Sequence, residues 1–260
     1  MHVIVPIDFS PASVNAARFA VQLLHDQSNT TIVLYHAYEH PDQRNEVSYD
    51  LRELKKRLLD DYIAHIECVA DKSIDVVEGL QKKIKDFEAA LVVMGIDNKT
   101  KLEQVLVGSN AVRMIEKASC PVLVIPNDAA YKQIKNVALA SDYKNVEESI
   151  PVDAVKKILN IMKPHLHIVH INADAYISVN EEYIAEKSKL EKMFAEYQPQ
   201  FYFLTNFNFH RTIQQFIHNN RIDLVLTFPR KHSFIKLLIR GKNTNKLVYE
   251  SAIPVLAAHE

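Results

Sequence analysis

The chain has 260 residues, a formal net charge of -1, 48% hydrophobic residues and 24% charged residues. This length accommodates one large α/β domain or two domains of about 100 to 150 residues each. The composition excludes an intrinsically disordered chain, and the near-zero charge gives no support to a general attraction to nucleic acids or membrane surfaces.

The two cysteines, Cys68 and Cys120, stand in apolar surroundings without CxxC spacing. This arrangement predicts reduced, buried thiols and a cytoplasmic location. The first residues lack the basic region of an export signal, and no apolar run approaches the roughly 18 residues of a membrane span. We therefore expect neither export nor a membrane partner.

Short β-branched apolar runs alternate with longer stretches of helical period, a pattern typical of successive βα units around a parallel sheet. In the first half, strands are predicted near residues 2–7, 31–37, 63–69, 90–95 and 122–125, and helices near residues 11–26, 47–60, 73–87 and 109–118. Ser10 followed by Pro11 predicts the start of the first helix, because it places a capping residue before a proline at the first helical position. In the second half, strands are predicted near residues 136–140, 167–171, 200–204, 224–227 and 255–257.

The second half repeats the first at an almost constant offset. The stretch "CPVLVIP" (residues 120–126) returns as "IPVLAAH" (residues 253–259), "VIVPIDFS" (residues 3–10) as "VALASDYK" (residues 137–144), and "AALVVMG" (residues 89–95) as "IDLVLTF" (residues 222–228). We therefore expect two copies of one domain, residues 1–127 and 134–260.

Ligands of an open parallel α/β sheet bind beyond the carboxyl ends of its strands. In the first copy, the segments there are "PIDFS" (residues 6–10), "HAYEH" (residues 36–40) and "MGIDNKTKLEQVLVGSN" (residues 94–110). Gly95 at a strand end lets a ligand approach the backbone, and Ser109 opens a helix whose first N–H groups favour an anion such as phosphate. The competing interpretation is that Gly95 only turns the chain and Ser109 only caps a helix.

The chain resembles the universal stress proteins in their tandem, two-domain form. The nucleotide motif of that family is G-x2-G-x9-G-(S/T), and this chain keeps it as Gly95, Gly108 and Ser109 with Asn98 in place of the second glycine. "VPIDFSP" and "KASCPVLVIP" are also similar to the family's first-strand and last-strand sequences. The resemblance implies two Rossmann-like (adenine nucleotide alpha hydrolase-like) domains, each a five-stranded parallel sheet flanked by helices in the strand order 3-2-1-4-5.

The family resemblance further implies that the first domain binds ATP or another adenine nucleotide, with the presence of Mg²⁺ left open. By motif position, the triphosphate would be surrounded by Gly95, Asn98, Gly108, Ser109 and the backbone of Asn110. Asp8 would accept hydrogen bonds from ribose hydroxyls, and the adenine or ribose would be lined by Pro6, Ile7, Ala37 and Met94. The Asn98 side chain occupies space that a phosphate needs, although asparagine tolerates left-handed backbone.

The motif is degenerate in the second copy. Phe228 replaces Gly95, Lys231 replaces Asn98 and Lys242 replaces Ser109, which argues against the same nucleotide pose. The basic stretch around them suggests a second anion site at Arg230, Lys231 and Lys242. A solvated basic loop, or a surface that meets the acidic first half, is the alternative.

Catalytic and metal motifs are absent from the sequence. "HLHIVH" (residues 165–170) has no cysteine or carboxylate partner at metal-ligand spacing, and no GxSxG, HExxH or GxGxxG occurs. We predict no catalytic residues, no metal site and at most weak ATP hydrolysis. The predicted function is a nucleotide-dependent regulatory or interaction module of the stress response. The alternatives are a scaffold that binds no nucleotide and a weak ATPase.

The expected partner is an adenine nucleotide, and no nucleic acid is expected. The family resemblance also implies that the last strands of the two copies pair as an intramolecular pseudo-dimer, and it leaves a homodimer and an unidentified protein partner open.

Overall fold

The computed structural model describes residues 1–96, 109–172, 181–205, 209–228 and 253–258. The chain divides into two compact units, Met1–Tyr131 and Lys132–Glu260. Each unit is an α/β sandwich of helices around a parallel sheet. No helix of the described ranges is both long and apolar enough to cross a membrane.

The described residues of the first unit form five strands and four α-helices. The strands are β1 (His2–Pro6), β2 (Thr31–Tyr38), β3 (His65–Lys72), β4 (Leu91–Ile96) and β5 (Val122–Pro126), and the helices are α1 (Pro11–Leu24), α2 (Arg44–Asp61), α3 (Val76–Asp86) and α4 (Ser109–Lys117). All strand pairs are parallel, in the order β3-β2-β1-β4-β5. Val3, Ile4 and Val5 of the central strand are all fully buried, as expected when helices cover both faces of a sheet.

The second unit has the same strand order. Its strands are β6 (Asn136–Ser141), β7 (His165–Asn172), β8 (Gln200–Thr205), β9 (Leu224–Thr227) and β10 (Val255–Ala257), and its helices are α5 (Val146–Ser149), α6 (Val152–Met162), α7 (Glu181–Met193) and α8 (Phe209–Asn219). The parallel order is β8-β7-β6-β9-β10. The predicted fold class, with strand order 3-2-1-4-5 in each half, is therefore confirmed.

The helix that follows the first strand differs between the units. In the first unit α1 runs unbroken for 14 residues, and the side chain of Ser10 accepts a hydrogen bond from the Ser13 backbone N–H as the predicted cap. In the second unit the corresponding stretch is split into α5 and α6. Ile150 between them is extended, with φ -111° and ψ 114°, because the ring of Pro151 disfavours helical backbone at the preceding residue.

Two predicted boundaries are wrong for local reasons. The third strand is predicted from residue 63, but β3 begins at His65 and the Ile63 side chain is 93% exposed. The third helix is predicted from residue 73, but α3 begins at Val76 because the Asp75 carboxylate accepts hydrogen bonds from the Val77 and Glu78 N–H groups and so caps the helix.

Candidate functional site

A cavity of about 320 Å³ opens at the carboxyl edge of the first unit's sheet. Strands β1, β2 and β4 end at this edge, and the first turns of α1, α3 and α4 close it. The lining residues are Pro6, Ile7, Asp8, Ser13, Tyr35, His36, Ala37, Val76, Met94, Gly95, Asn110 and Ala111. The cavity therefore lies where ligands of open parallel α/β sheets bind.

Most of the predicted first-domain site residues line this one cavity: Pro6, Ile7, Asp8, Ala37, Met94, Gly95 and Asn110. Asn98 and Gly108 lie outside the described residues. Ser109 is the first residue of α4. The three residues of the suggested second anion site, Arg230, Lys231 and Lys242, also lie outside the described residues and remain a prediction.

The structure adds lining residues that the motif does not contain, namely Ser13, Tyr35, His36, Val76 and Ala111. Tyr35 and His36 belong to the same strand end as Ala37, so the predicted strand could have suggested them. Val76 comes from α3, which reaches the cavity only through tertiary packing. No local sequence signal identifies it.

Asp8 carries a negative charge at the cavity. Partial burial raises the pKa of its carboxyl, but hydrogen bonds from Ser10 and Ser13 outweigh that effect and lower the pKa below its ordinary value. The Ser10 backbone N–H donates to Oδ1 of Asp8 at 3.0 Å, and the Asp8 N–H donates to the Ser13 hydroxyl at 3.3 Å. Asp8 is therefore an ionised, acceptor-only group at neutral pH, suited to a ligand that offers hydroxyl donors.

His36 contacts the segment that follows β1 through a hydrogen bond and a ring contact. Its Nδ1 donates to the Ile7 carbonyl at 2.6 Å, and the Phe9 ring lies 5.1 Å from the imidazole, centroid to centroid. Phe9 has φ 62°, in the left-handed region. The second unit repeats the backbone conformation and the ring contact, because Tyr143 has φ 54° and packs on His170 at 4.7 Å, centroid to centroid. Because the repeat occurs where the nucleotide motif is degenerate, the aromatic–histidine pair belongs to the fold, and it fixes the position of Asp8.

Gly95 is required by the chain's own packing. A Cβ atom at this position would lie 2.1 Å from the carbonyl oxygen of Ala12 and 2.8 Å from the backbone nitrogen of Ser13. The sequence predicts that the glycine admits a ligand, with a simple turn as the alternative. In the structure the close neighbour is the first turn of α1, which packs against β4 and places Ser13 in the cavity wall.

Tyr35 contributes a buried hydroxyl beneath α3. The side chain is fully buried, and its hydroxyl has no hydrogen-bond partner. Burial and the negative charge of Asp71 raise the pKa of the phenol, but the approach of the two side chains does not have hydrogen-bond geometry. A Cβ atom at Gly79 of α3 would lie 2.1 Å from this hydroxyl. Because Gly79 has no side chain, the Tyr35 hydroxyl has room beneath α3.

Helices α3 and α4 both bring their N-termini to the cavity. The start of α3 is already neutralised, because the Asp75 carboxylate caps it and also forms an ion pair with Arg113 of α4. The first N–H groups of any helix lack partners within the helix and attract anions. Asn110 and Ala111 bring the first turn of α4 to the cavity wall. This turn is a candidate position for an anionic group.

Within the described ranges, no group of three or more His, Cys, Asp or Glu side chains is arranged to hold a metal ion. Both cysteines are unpaired thiols, and burial raises the pKa of Cys120 to about 12.

The family model described as "Universal stress protein family" matches residues 1–126. A universal stress protein of Methanocaldococcus jannaschii is 30% identical over 136 residues, which cover 47% of this chain and 80% of that protein. The chain belongs to the universal stress protein family. Its two units share one strand order, which gives the chain the tandem, two-domain form.

Solved structures show the same fold along nearly the whole chain. A universal stress protein from Archaeoglobus fulgidus superimposes with a TM-score of 0.71 at 14% sequence identity, covering 99% of this chain and 98% of that one. A protein of unknown function from Pseudomonas aeruginosa gives a TM-score of 0.60 at 13% identity, with coverages of 99% and 92%. At such low identities these likenesses extend the fold to the second unit and carry no information about ligands.

Proposed function

We propose that the first unit binds ATP or a related adenine nucleotide in the cavity, and that the protein acts as a nucleotide-dependent regulatory or interaction module. The observation that carries the proposal is the convergence of three separate strand ends and the α4 N-terminus on one cavity of about 320 Å³. This size lies at the lower end of the range for small-molecule sites, roughly 300 to 1,000 Å³. The reducing, cytoplasmic location expected from the unpaired cysteines is part of the proposal.

The wall formed by β1, β2 and β4 suits an aromatic base. Ile7 and Met94 are buried hydrophobic residues, and Pro6 and Ala37 add two further apolar side chains to this wall. Apolar walls with a few fixed polar groups are typical of cofactor sites. The adenine ring would lie against this wall.

The polar groups of the cavity match the rest of a nucleotide. The ionised Asp8 would accept hydrogen bonds from the ribose hydroxyls, as its position at the end of β1 allows. The phosphates would lie at the first turn of α4, near Asn110, where the helix dipole and the first N–H groups attract negative charge. Asn98 stays the untested element of this arrangement, because it lies outside the described residues.

Equilibrium dialysis of the purified protein with labelled ATP tests the proposal, with labelled GTP as a comparison for the base. We expect saturable retention of ATP by the wild-type protein. Asp8→Ala should weaken it by about tenfold, since a hydrogen-bonded charged group contributes on that order. Absence of retention at millimolar ATP would contradict the proposal.

Asp142→Ala is the matched control. Asp142 follows β6 as Asp8 follows β1, and its Oδ1 likewise accepts a hydrogen bond from the backbone two residues on, at 3.2 Å from the Lys144 nitrogen. The substitution removes the same chemical group from the same turn in the other unit. ATP retention should therefore be unchanged in Asp142→Ala, and an equal loss in both variants would show that retention does not depend on the first unit's cavity.

A further inference from the structure

An ion pair at the rim of the cavity joins helices α3 and α4, which both begin there. The guanidinium of Arg113 in α4 contacts Oδ2 of Asp75, the capping residue of α3. Both side chains remain partly exposed, at 36% for Arg113 and 31% for Asp75. The pair is therefore accessible to a ligand as well as to solvent.

The pair's neighbours in the chain place it beside the cavity. Val76, the residue after Asp75, lines the cavity, and so does Asn110, which precedes Arg113 by three residues in α4. Residues three apart lie on the same face of a helix. The Arg113 side chain therefore leaves α4 on the face that carries Asn110 to the cavity.

A phosphate group bound in the cavity would need a cationic side chain to balance its negative charge. The described lining of the cavity contains the carboxylate of Asp8 but no lysine or arginine. A nucleotide triphosphate brings several negative charges, and guanidinium groups match phosphate oxygens with two parallel hydrogen bonds. In the described part of α4 the cations are Arg113 and, at the far end, Lys117.

Asp75 can release Arg113 and stay hydrogen-bonded. Its other oxygen, Oδ1, accepts from the Val77 N–H at 2.8 Å and from the Glu78 N–H at 3.2 Å, so the cap of α3 does not depend on the arginine. Exposed ion pairs contribute little free energy. A phosphate group that arrives at the α4 N-terminus is therefore a stronger partner for the guanidinium than Asp75 is.

We propose that Arg113 is a phosphate-binding residue of the first unit, and that Asp75 holds its guanidinium until a nucleotide phosphate competes for it. The inference rests on the proposed function and adds to it a charged group outside the glycine motif. It also links phosphate binding to α3, whose N-terminus loses its ionic contact with α4 when the phosphate takes the arginine.

Dissociation constants of ATP and adenosine, measured by titration calorimetry, test the exchange. Arg113→Gln should weaken ATP binding by about tenfold, since hydrogen bonds to charged groups contribute on that order. Asp75→Asn keeps a good capping residue but removes the competing charge, so it should strengthen ATP binding by about threefold. Adenosine has no phosphate, and its dissociation constant should not change in either variant.

These two substitutions form a matched pair, because each breaks the same ion pair and they should cost similar stability. Opposite effects on ATP affinity therefore cannot arise from destabilisation. Arg113→Gln in the Asp75→Asn protein should still weaken ATP binding by about tenfold, whereas Lys117→Gln, which removes a cation from the same helix, should change it by less than about twofold.

The outcomes separate this inference from the proposed function. Failure of the wild-type protein to bind either ATP or adenosine overturns both. If the wild type binds ATP but Arg113→Gln leaves its dissociation constant unchanged, or shifts ATP and adenosine equally, then only the role of Arg113 is overturned. An equal effect of Lys117→Gln would likewise overturn it, because the arginine would then act through the net charge of the helix.

Discussion

The packing of α1 against β4 predicts the effect of Gly95→Ala. The new Cβ would lie 2.1 Å from the carbonyl oxygen and 2.3 Å from the carbonyl carbon of Ala12. Even close carbon–oxygen contacts are about 3.3 Å, so β4 and the start of α1 must separate by about 1 Å. The obstructing atoms belong to the backbone and cannot rotate away. Gly95 does not have a positive φ, so the cost arises from this contact and not from backbone conformation.

The size of the effect follows from what overpacking costs. Insertions that force the backbone to shift destabilise by typically 1 to 3 kcal/mol, and two facing main chains place this one at about 3 kcal/mol. Replacing glycine stiffens the unfolded chain and returns at most about 1 kcal/mol. The net loss of about 2 kcal/mol lowers the thermal midpoint of the first unit by roughly 5 to 10 °C.

Urea and thermal denaturation followed by far-ultraviolet circular dichroism, without nucleotide, measure this effect. ATP binding by Gly95→Ala should also weaken, because Ser13 moves with α1, so stability in the absence of ligand is the decisive measurement. A Gly95→Ala protein with the wild-type midpoint that has lost only nucleotide binding would refute the packing explanation. It would restore the interpretation that the glycine serves the ligand's approach.

Three other predictions follow from the same geometry. Gly79→Ala should destabilise the wild type and should cost less in the Tyr35→Phe protein in urea denaturation, because that protein lacks the closest obstructing atom, although the Ser73 side chain still lies 3.0 Å from the new Cβ; an equal cost in both backgrounds would contradict this. Glu186→Ala should cost about 2 to 3 kcal/mol, because this buried carboxylate accepts the Val146 N–H at 2.7 Å at the start of α5 and also pairs with Lys189. Glu147→Ala removes an exposed partner of Lys189 and should cost less than about 0.5 kcal/mol; equal costs would contradict the role of burial. Burial lowers the pKa of His167 below 6.5, so below that pH the unfolded chain binds a proton that the folded chain does not. The free energy of unfolding should therefore fall as the pH drops from 7 to 5. Denaturation at each pH should show a smaller fall for His167→Gln than for the wild type.

The fold was predictable because its signals are local and repeated. Apolar runs bounded by turn residues define each strand, and Ser10 identifies the start of α1 by its capping chemistry alone. The parallel order of the strands follows from the family resemblance. Residue propensities alone do not predict where β3 and α3 begin, since Ile63 is apolar but exposed and Asp75 sets the start of α3 by capping it.

The site was predictable only where it is contiguous in sequence. The strand ends at Pro6–Asp8, Ala37 and Met94–Gly95 line the cavity as the family motif implies. The Arg113–Asp75 pair joins positions 38 residues apart, and nothing in either segment indicates the other. The space beneath Gly79 that Tyr35 fills is equally invisible in sequence, because the two residues meet only when α3 packs on β2.

The comparison of the two units gives a physical reason for confining the proposed nucleotide site to the first. Val3 pairs with Leu91 in one sheet and Val137 with Leu224 in the other, and four residues further on the chain carries Gly95 in the first unit and Phe228 in the second. A side chain at this position excludes the close approach that α1 makes to β4.

In agreement with this steric exclusion, the described residues after β6 form the short helix α5 and not one long helix like α1. Asn145 adopts φ 42° before α5, which lasts four residues and has the buried carboxylate of Glu186 at its first N–H. Tyr143 is 97% buried and stacks on Tyr183 of α7 as well as packing on His170, whereas its counterpart Phe9 in the first unit packs on His36 and is only half-buried. In the second unit, the loss of the glycine is therefore accompanied by a different path of the chain after β6 and by a more deeply buried aromatic ring at the strand ends. Restoring the motif residues alone should not restore a nucleotide site there.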